Sequence, residues 1–115
     1  MLTIYGIKNC DSVKKAIKWL ELQQIDYQFV DFKQTPPTTS QLEGWTKEVD
    51  WTKLLNKHSK TYRELSSEEK TLENAAQAVA LMSQYPLLVK RPVIEFNGIT
   101  LVGFNEPAYT EQLLK

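Results

Sequence analysis

Apolar and polar positions alternate along this chain with two different periods, and the changes of period divide it into elements. "LTIYGI" is a short β-branched and aromatic run, which predicts a first strand from Leu2 to about Gly6. From Asp11 the period lengthens. Val13, Ala16, Ile17 and Leu20 recur at i, i+3, i+4 and i+7, while Lys14, Lys15, Lys18 and Glu21 take the opposite side. This pattern predicts an amphipathic helix to about Gln24. "DYQFVDF", from Asp26 to Phe32, then reads as a second strand. Strand, helix and strand with short connections predict a βαβ unit with parallel pairing.

"KQTPPTTS", Lys33 to Ser40, breaks the pattern with two prolines. After it the character is helical and irregular. Thr39 or Ser40 is expected to cap a run containing Leu42 and Trp45, and "VDWTKLL" to form a short helix. Ser66 or Ser67 is expected to cap a further run in which Leu72, Ala75, Ala76, Val79 and Met82 recur at helical spacing until Pro86. The stretch from about 38 to 85 therefore reads as a helical insertion within one domain, 1–115. In "RPVIEFNGITLVGF" the Asn97-Gly98 pair stands between two β-rich runs, the strongest short hairpin signal, because a type I′ turn needs positive φ at both central residues. Asn105 then caps a last helix, with Pro107 in its first turn and apolar residues recurring to Leu114. The predicted order is βαβ, helical insert, ββα.

Composition narrows what such a fold can do. With 115 residues the chain has the size of one domain and needs neither disulfide nor metal to fold. Fourteen basic and 14 acidic residues give a formal net charge of zero, which argues against bulk attraction to nucleic acid or to an anionic membrane. One cysteine excludes an intrachain disulfide, and with one histidine, His58, it excludes a zinc site built of Cys and His alone. No signal peptide pattern and no membrane-length apolar run is visible, so a soluble, reducing compartment, the cytoplasm, is the expectation.

The chemistry centres on Cys10, placed where the first strand gives way to the first helix. A thiol reacts as its thiolate, and an ordinary thiol is only a few per cent ionised at neutral pH. The free N–H groups at a helix start favour negative charge, Lys8 and Lys14 add positive potential, and Asp11 opposes it. A free cysteine is also among the most buried residue types and often acts as a small hydrophobe, so position is what raises Cys10 above that reading. Arg91 immediately precedes Pro92, which biases it to extended backbone. It offers a planar charged fork for a carboxylate or oxyanion, although spacing alone makes it a solvated arginine. Base rates alone make the Arg91–Pro92 bond trans. His58 reads as a surface residue, Trp19, Trp45 and Trp51 as packing residues, and no Gly-rich phosphate loop is present.

"YGIKNCDSVKKAIKWLE", "LMSQYPLLVKRPVI" and "LVGFNEPAY", in that order, resemble the arsenate reductase (ArsC-like) family. That family includes the Spx transcriptional regulators and a YffB-like branch of small proteins regarded as glutathione-dependent thiol reductases. The resemblance implies an α/β, thioredoxin-like fold with a mixed sheet and a helical insertion. It implies that Cys10 is the catalytic thiol with Arg91 beside it, and that Pro92 is cis and faces the cysteine. Lys8, Asn9, Lys14, Lys90, Pro92 and Gly103 would line the substrate site. Glutathione would be the co-substrate, with no bound cofactor or metal.

Three departures separate this chain from its relatives. Arsenate reductases of the family hold the oxyanion with three arginines, but here "LLNKH" puts Asn56 at one of those places and "LVGF" puts Gly103 and Phe104 at another. Spx regulators commonly carry a CxxC switch, whereas "CDSV" ends in Val13. The resemblance thus leaves three readings in order: a glutathione-dependent monothiol reductase, a non-enzymatic module that binds RNA polymerase, and an arsenate reductase. A small thiol or disulfide is the expected partner, without membrane or direct nucleic-acid binding.

Overall fold

The computed structural model describes residues 1–114. They form two compact units, one joining Met1–Thr35 to the segment that begins at Arg91, the other comprising Pro36–Lys90.

The first unit is built on a four-stranded mixed sheet of order β2-β1-β3-β4. Strand β1 (Leu2–Gly6) pairs in parallel with β2 (Tyr27–Asp31) and antiparallel with β3 (Val93–Phe96), and β4 (Ile99–Val102) closes the β3 side. Helix α1 (Asp11–Leu22) makes the crossover from β1 to β2 that parallel pairing requires. The βαβ unit and the hairpin both match the sequence expectation. Asn97 and Gly98 have φ of 50° and 79°, the two left-handed positions of the expected turn.

Period-2 alternation puts Leu2 and Ile4 of β1 and Ile94 of β3 on one face of the sheet. There they meet Ala16, Trp19 and Leu20 of α1, and Tyr109 and Leu113 of a last helix, α6 in chain order (Glu106–Leu113). Trp19 joins this core, while Ile17, expected inside, only packs against it.

Helix α1 stops two residues short of the expected Gln24, and hydrogen bonds show why. Ile25 N–H donates to the Leu20 carbonyl (2.9 Å) and Gln24 N–H to the Glu21 carbonyl (3.1 Å), the paired bonds of a Schellman stop. Gln24 takes the left-handed position with φ 58°, normally held by glycine. Replacing Gln24 by glycine should therefore stabilise the fold by about 0.5–1 kcal/mol, the relieved strain being partly offset by a more flexible unfolded chain. Urea denaturation measures this; a loss of stability would mean that the glutamine side chain holds more than its backbone costs.

The second unit is helical. It contains α2 (Thr39–Glu48), α3 (Trp51–Leu54), α4 (Lys60–Arg63), α5 (Ala75–Gln84) and a 3₁₀ turn at Pro86–Leu88. Leu42 and Trp45 of α2, Leu54, Met82 of α5 and Leu88 are buried, and α2 lies along α5 with Thr39 and Ser83 hydroxyls 2.8 Å apart. An antiparallel bridge between Leu55 and Val89 ties its last segment back to α3.

Several local expectations are corrected here. Thr38, one residue earlier than expected, caps α2 through a reciprocal capping box with Gln41. Ser66 does make the expected cap, exchanging bonds with Glu69, but no helix grows from it. Thr71 instead turns its hydroxyl back to the Ser67 carbonyl, a side-chain bond that competes with the helical ladder. Helix α5 begins afresh with Asn74 as its cap, so Leu72 lies outside it and Ala76 on its exposed side. Helix α4, capped by Ser59, was not visible in the apolar pattern.

Candidate functional site

The sheet ends at Gly6, and Ile7, Lys8 and Asn9 carry the chain over to α1. Cys10 is the N-cap of that helix, with extended backbone (φ −142°, ψ 122°), and its carbonyl accepts the first helical bond from Lys14 N–H at 3.0 Å. The thiol is half-buried and not in a disulfide, and the Cys10 side chain makes no capping bond. The first N–H groups of a helix have no intrahelical acceptor, and a helix start is a favourable place for negative charge. Each of the five other α-helices among the described residues satisfies one such group with an oxygen: Thr38, Asp50, Ser59, Asn74 and Asn105. Only α1 presents sulfur there.

Close packing fixes the start of α1 on the sheet. A Cβ added to Gly6 would lie 2.6 Å from Cγ2 of Val13, so only glycine lets β1 and α1 approach this far. Val13 is 1% exposed. The fourth position of Cys10-Asp11-Ser12-Val13 is thus a core position, facing the strand.

The neighbouring strands end at the same level. Gly6 pairs with Asp31 on one side. On the other, the β1–β3 ladder runs to Tyr5 and Val93, so the next residue of that strand is the buried Pro92. The Arg91–Pro92 bond is cis, as the resemblance implied and against the base rate for such bonds. Gly103, buried and with φ 77°, donates its N–H to the Pro92 carbonyl at 2.8 Å, which extends the β3–β4 ladder by one pair. Cys10, Pro92 and Gly103 therefore belong to one end of one sheet, with the half-buried Arg91 next in the chain.

Lys8 and Asn9 are exposed in the loop before Cys10, and Lys14 and Asp11 are exposed on the first turn of α1. Lys90 is exposed and belongs to the helical unit, its N–H donating to the Leu54 carbonyl at 2.7 Å. Asn56 is engaged in its own loop: its N–H donates to the Leu88 carbonyl (2.8 Å) and its Oδ1 accepts from His58 N–H (3.1 Å). His58 is exposed, as expected. Among the described residues no group of three or more His, Cys, Asp or Glu could hold a metal, and no helix is long and apolar enough to cross a membrane.

One contributor escaped sequence reasoning. Tyr109 of α6 is 1% exposed, and its hydroxyl donates to the Gly103 carbonyl at 2.6 Å. Burial pushes its phenol well above the ordinary value, so it remains a donor. The bond joins residues from two elements, and no periodicity announces it.

The sequence model described as the ArsC family matches residues 5–112. An uncharacterized protein of Haemophilus influenzae is 38% identical over 109 residues, covering 95% of this chain and 96% of the relative. The global transcriptional regulator Spx 2 of Bacillus anthracis is 28% identical over 108 residues, covering 92% and 82%. Among solved structures, a protein described as YFFB superposes with a TM-score of 0.94 at 39% identity, covering 98% of this chain and 99% of that one. A glutaredoxin of Archaeoglobus fulgidus, 13% identical with a TM-score of 0.51 over 99% of this chain and 86% of its own, shares the thioredoxin-like fold alone.

Proposed function

This chain belongs to the ArsC family, and from that premise we propose that it is a monothiol oxidoreductase that exchanges disulfides with glutathione through Cys10. The observation that carries the reading is the sulfur at the N-cap of α1, where each of the other five helices has an oxygen cap. A cap without a capping bond gives up helix stability, and a nucleophile at that spot is a reason to do so.

In the proposed cycle the Cys10 thiolate attacks the glutathione sulfur of a mixed disulfide. The new bond joins Cys10 to glutathione, the old S–S bond breaks, and the other thiol leaves as its thiolate. A second glutathione thiolate then attacks the glutathione sulfur held on Cys10, forming glutathione disulfide and restoring the Cys10 thiolate. Arg91 serves as the charged fork for a glutathione carboxylate, with Lys8 and Lys14 adding positive charge and Asn9 offering polar backbone. The backbone at Arg91, before Pro92, is where the glutathione peptide would pair, a habit of the fold applied here by analogy.

Arsenate is a poorer fit. Asn56 and Gly103 stand where arsenate reductases of the family have arginines, and one guanidinium is little to hold a doubly charged anion. The test is to incubate the protein with glutathione disulfide and weigh it intact. One glutathione should be added on Cys10 and removed by free glutathione, without turnover of arsenate; a protein that takes up no glutathione at any pH from 6 to 9 would overturn the reading. Similarity to Spx 2 along 92% of the chain favours a second reading, a regulator that binds RNA polymerase without enzymatic chemistry. Capture of the polymerase unaffected by loss of the thiol would favour it.

A further inference from the structure

We propose that Tyr109 is a positioning residue for the thiol site: its hydroxyl fixes the Gly103 carbonyl, and through the Gly103 N–H it holds the Pro92 carbonyl beside Arg91. The proposal rests on the reading of Cys10, Arg91 and Pro92 as the site. Two short bonds in series make the link, Tyr109 Oη to the Gly103 carbonyl at 2.6 Å and Gly103 N–H to the Pro92 carbonyl at 2.8 Å. Gly103 has φ 77°, a conformation that glycine enters freely and leaves as freely, so its direction has to be set by its partners. Its carbonyl is the acceptor for a hydroxyl carried on a different element, α6.

The ring of the same residue packs against α1, the helix capped by Cys10, well down its length from the thiol. Tyr109 meets Trp19 of α1 edge-on, with centroids 5.5 Å apart at 70°, and Phe104 at 5.3 Å and 86°. Cys10 is the N-cap of that helix. One buried side chain thus packs against the helix that carries the sulfur and hydrogen-bonds the corner that carries the proline. Packing would be served as well by phenylalanine, which has the same ring. The hydroxyl is the part that packing leaves unexplained.

The test uses the full chain with Tyr109→Phe, which keeps the ring and removes the donor. Amide hydrogen exchange read by NMR should show Gly103 exchanging about tenfold faster or more, with Ile4 and Ile94 in the strand centres unchanged. With a glutathione mixed disulfide as substrate, KM should rise about fivefold while kcat stays within about twofold, the signature of lost substrate positioning. Alkylation of Cys10 by iodoacetamide, which does not use the Pro92 corner, should keep its rate. Unchanged Gly103 exchange, uniform acceleration of all amides, or an unchanged KM would each overturn the proposal. If the unmodified protein turns over no mixed disulfide, the thiol-exchange reading has failed, and the Gly103 exchange alone then upholds or overturns the anchoring of the corner.

Discussion

Replacing Cys10 by serine is expected to move activity and stability in opposite directions. Thiol–disulfide exchange should fall by at least about a thousandfold, to the background rate, because the chain has no second thiol to substitute for the lost nucleophile. Stability should rise by about 0.5–1 kcal/mol, since a serine hydroxyl at the N-cap can accept from the N–H of Ser12 or Val13 where the sulfur makes no capping bond. Glutathione transfer assays and urea denaturation on the same preparation measure the two effects. Cys10→Ala, which removes the nucleophile without adding a cap, should lose the activity and gain nothing. A serine variant that kept its activity would sink the enzyme reading. One that lost more than about 1 kcal/mol would mean that the sulfur is a packing atom.

Gly6→Ala should cost about 1–3 kcal/mol, the largest effect expected on stability from adding a single carbon. The new Cβ would sit 2.6 Å from Cγ2 of Val13, which is buried and, being β-branched, has little freedom to swing aside. Gly6 is not among the residues with positive φ, so alanine meets no backbone objection there and the cost is steric. The same reasoning predicts rescue. Val13→Ala alone opens a cavity and costs about 2 kcal/mol, but on the Gly6→Ala background it removes the clash, so the pair should couple by about 1 kcal/mol or more. A double-mutant cycle in urea reads this coupling; strictly additive losses would mean that helix and strand simply move apart. Because the helix that would be displaced is capped by Cys10, thiol reactivity should change in the single variant and return in the double.

Much of the candidate site is legible in the sequence, because its signals are local. A β-branched run ending in glycine, a cysteine, and a 3.6-residue apolar stripe together placed Cys10 at a strand-to-helix junction. Asn97-Gly98 and Asn105 likewise carry their own turn and cap chemistry, and both stand where expected. What was illegible depends on partners distant in sequence. Gln24 gives no glycine signal for the end of α1, and its left-handed φ is set by the Ile25–Leu20 stop. Ser66 and Glu69 look like a helix start and are one by their bonds, yet the Thr71 hydroxyl and the Asn74 cap move the helix on by eight residues, from Ser67 to Ala75. Tyr109 is linked to the site through a backbone carbonyl, which carries no sequence identity at all.

Val13, buried against Gly6, is a hydrocarbon where a second thiol would have to stand, and its identity sets the kinetic order of any turnover at Cys10. A second thiol at that position would act as a tethered reductant, whose effective concentration reaches the millimolar range for short tethers and owes nothing to the surrounding solution. With a hydrocarbon side chain there, no such tether exists, and release of Cys10 from a mixed disulfide becomes a bimolecular step. Its rate then scales linearly with the free thiol outside the protein, so the fraction of molecules locked as adducts follows the ratio of disulfide to free thiol around the protein.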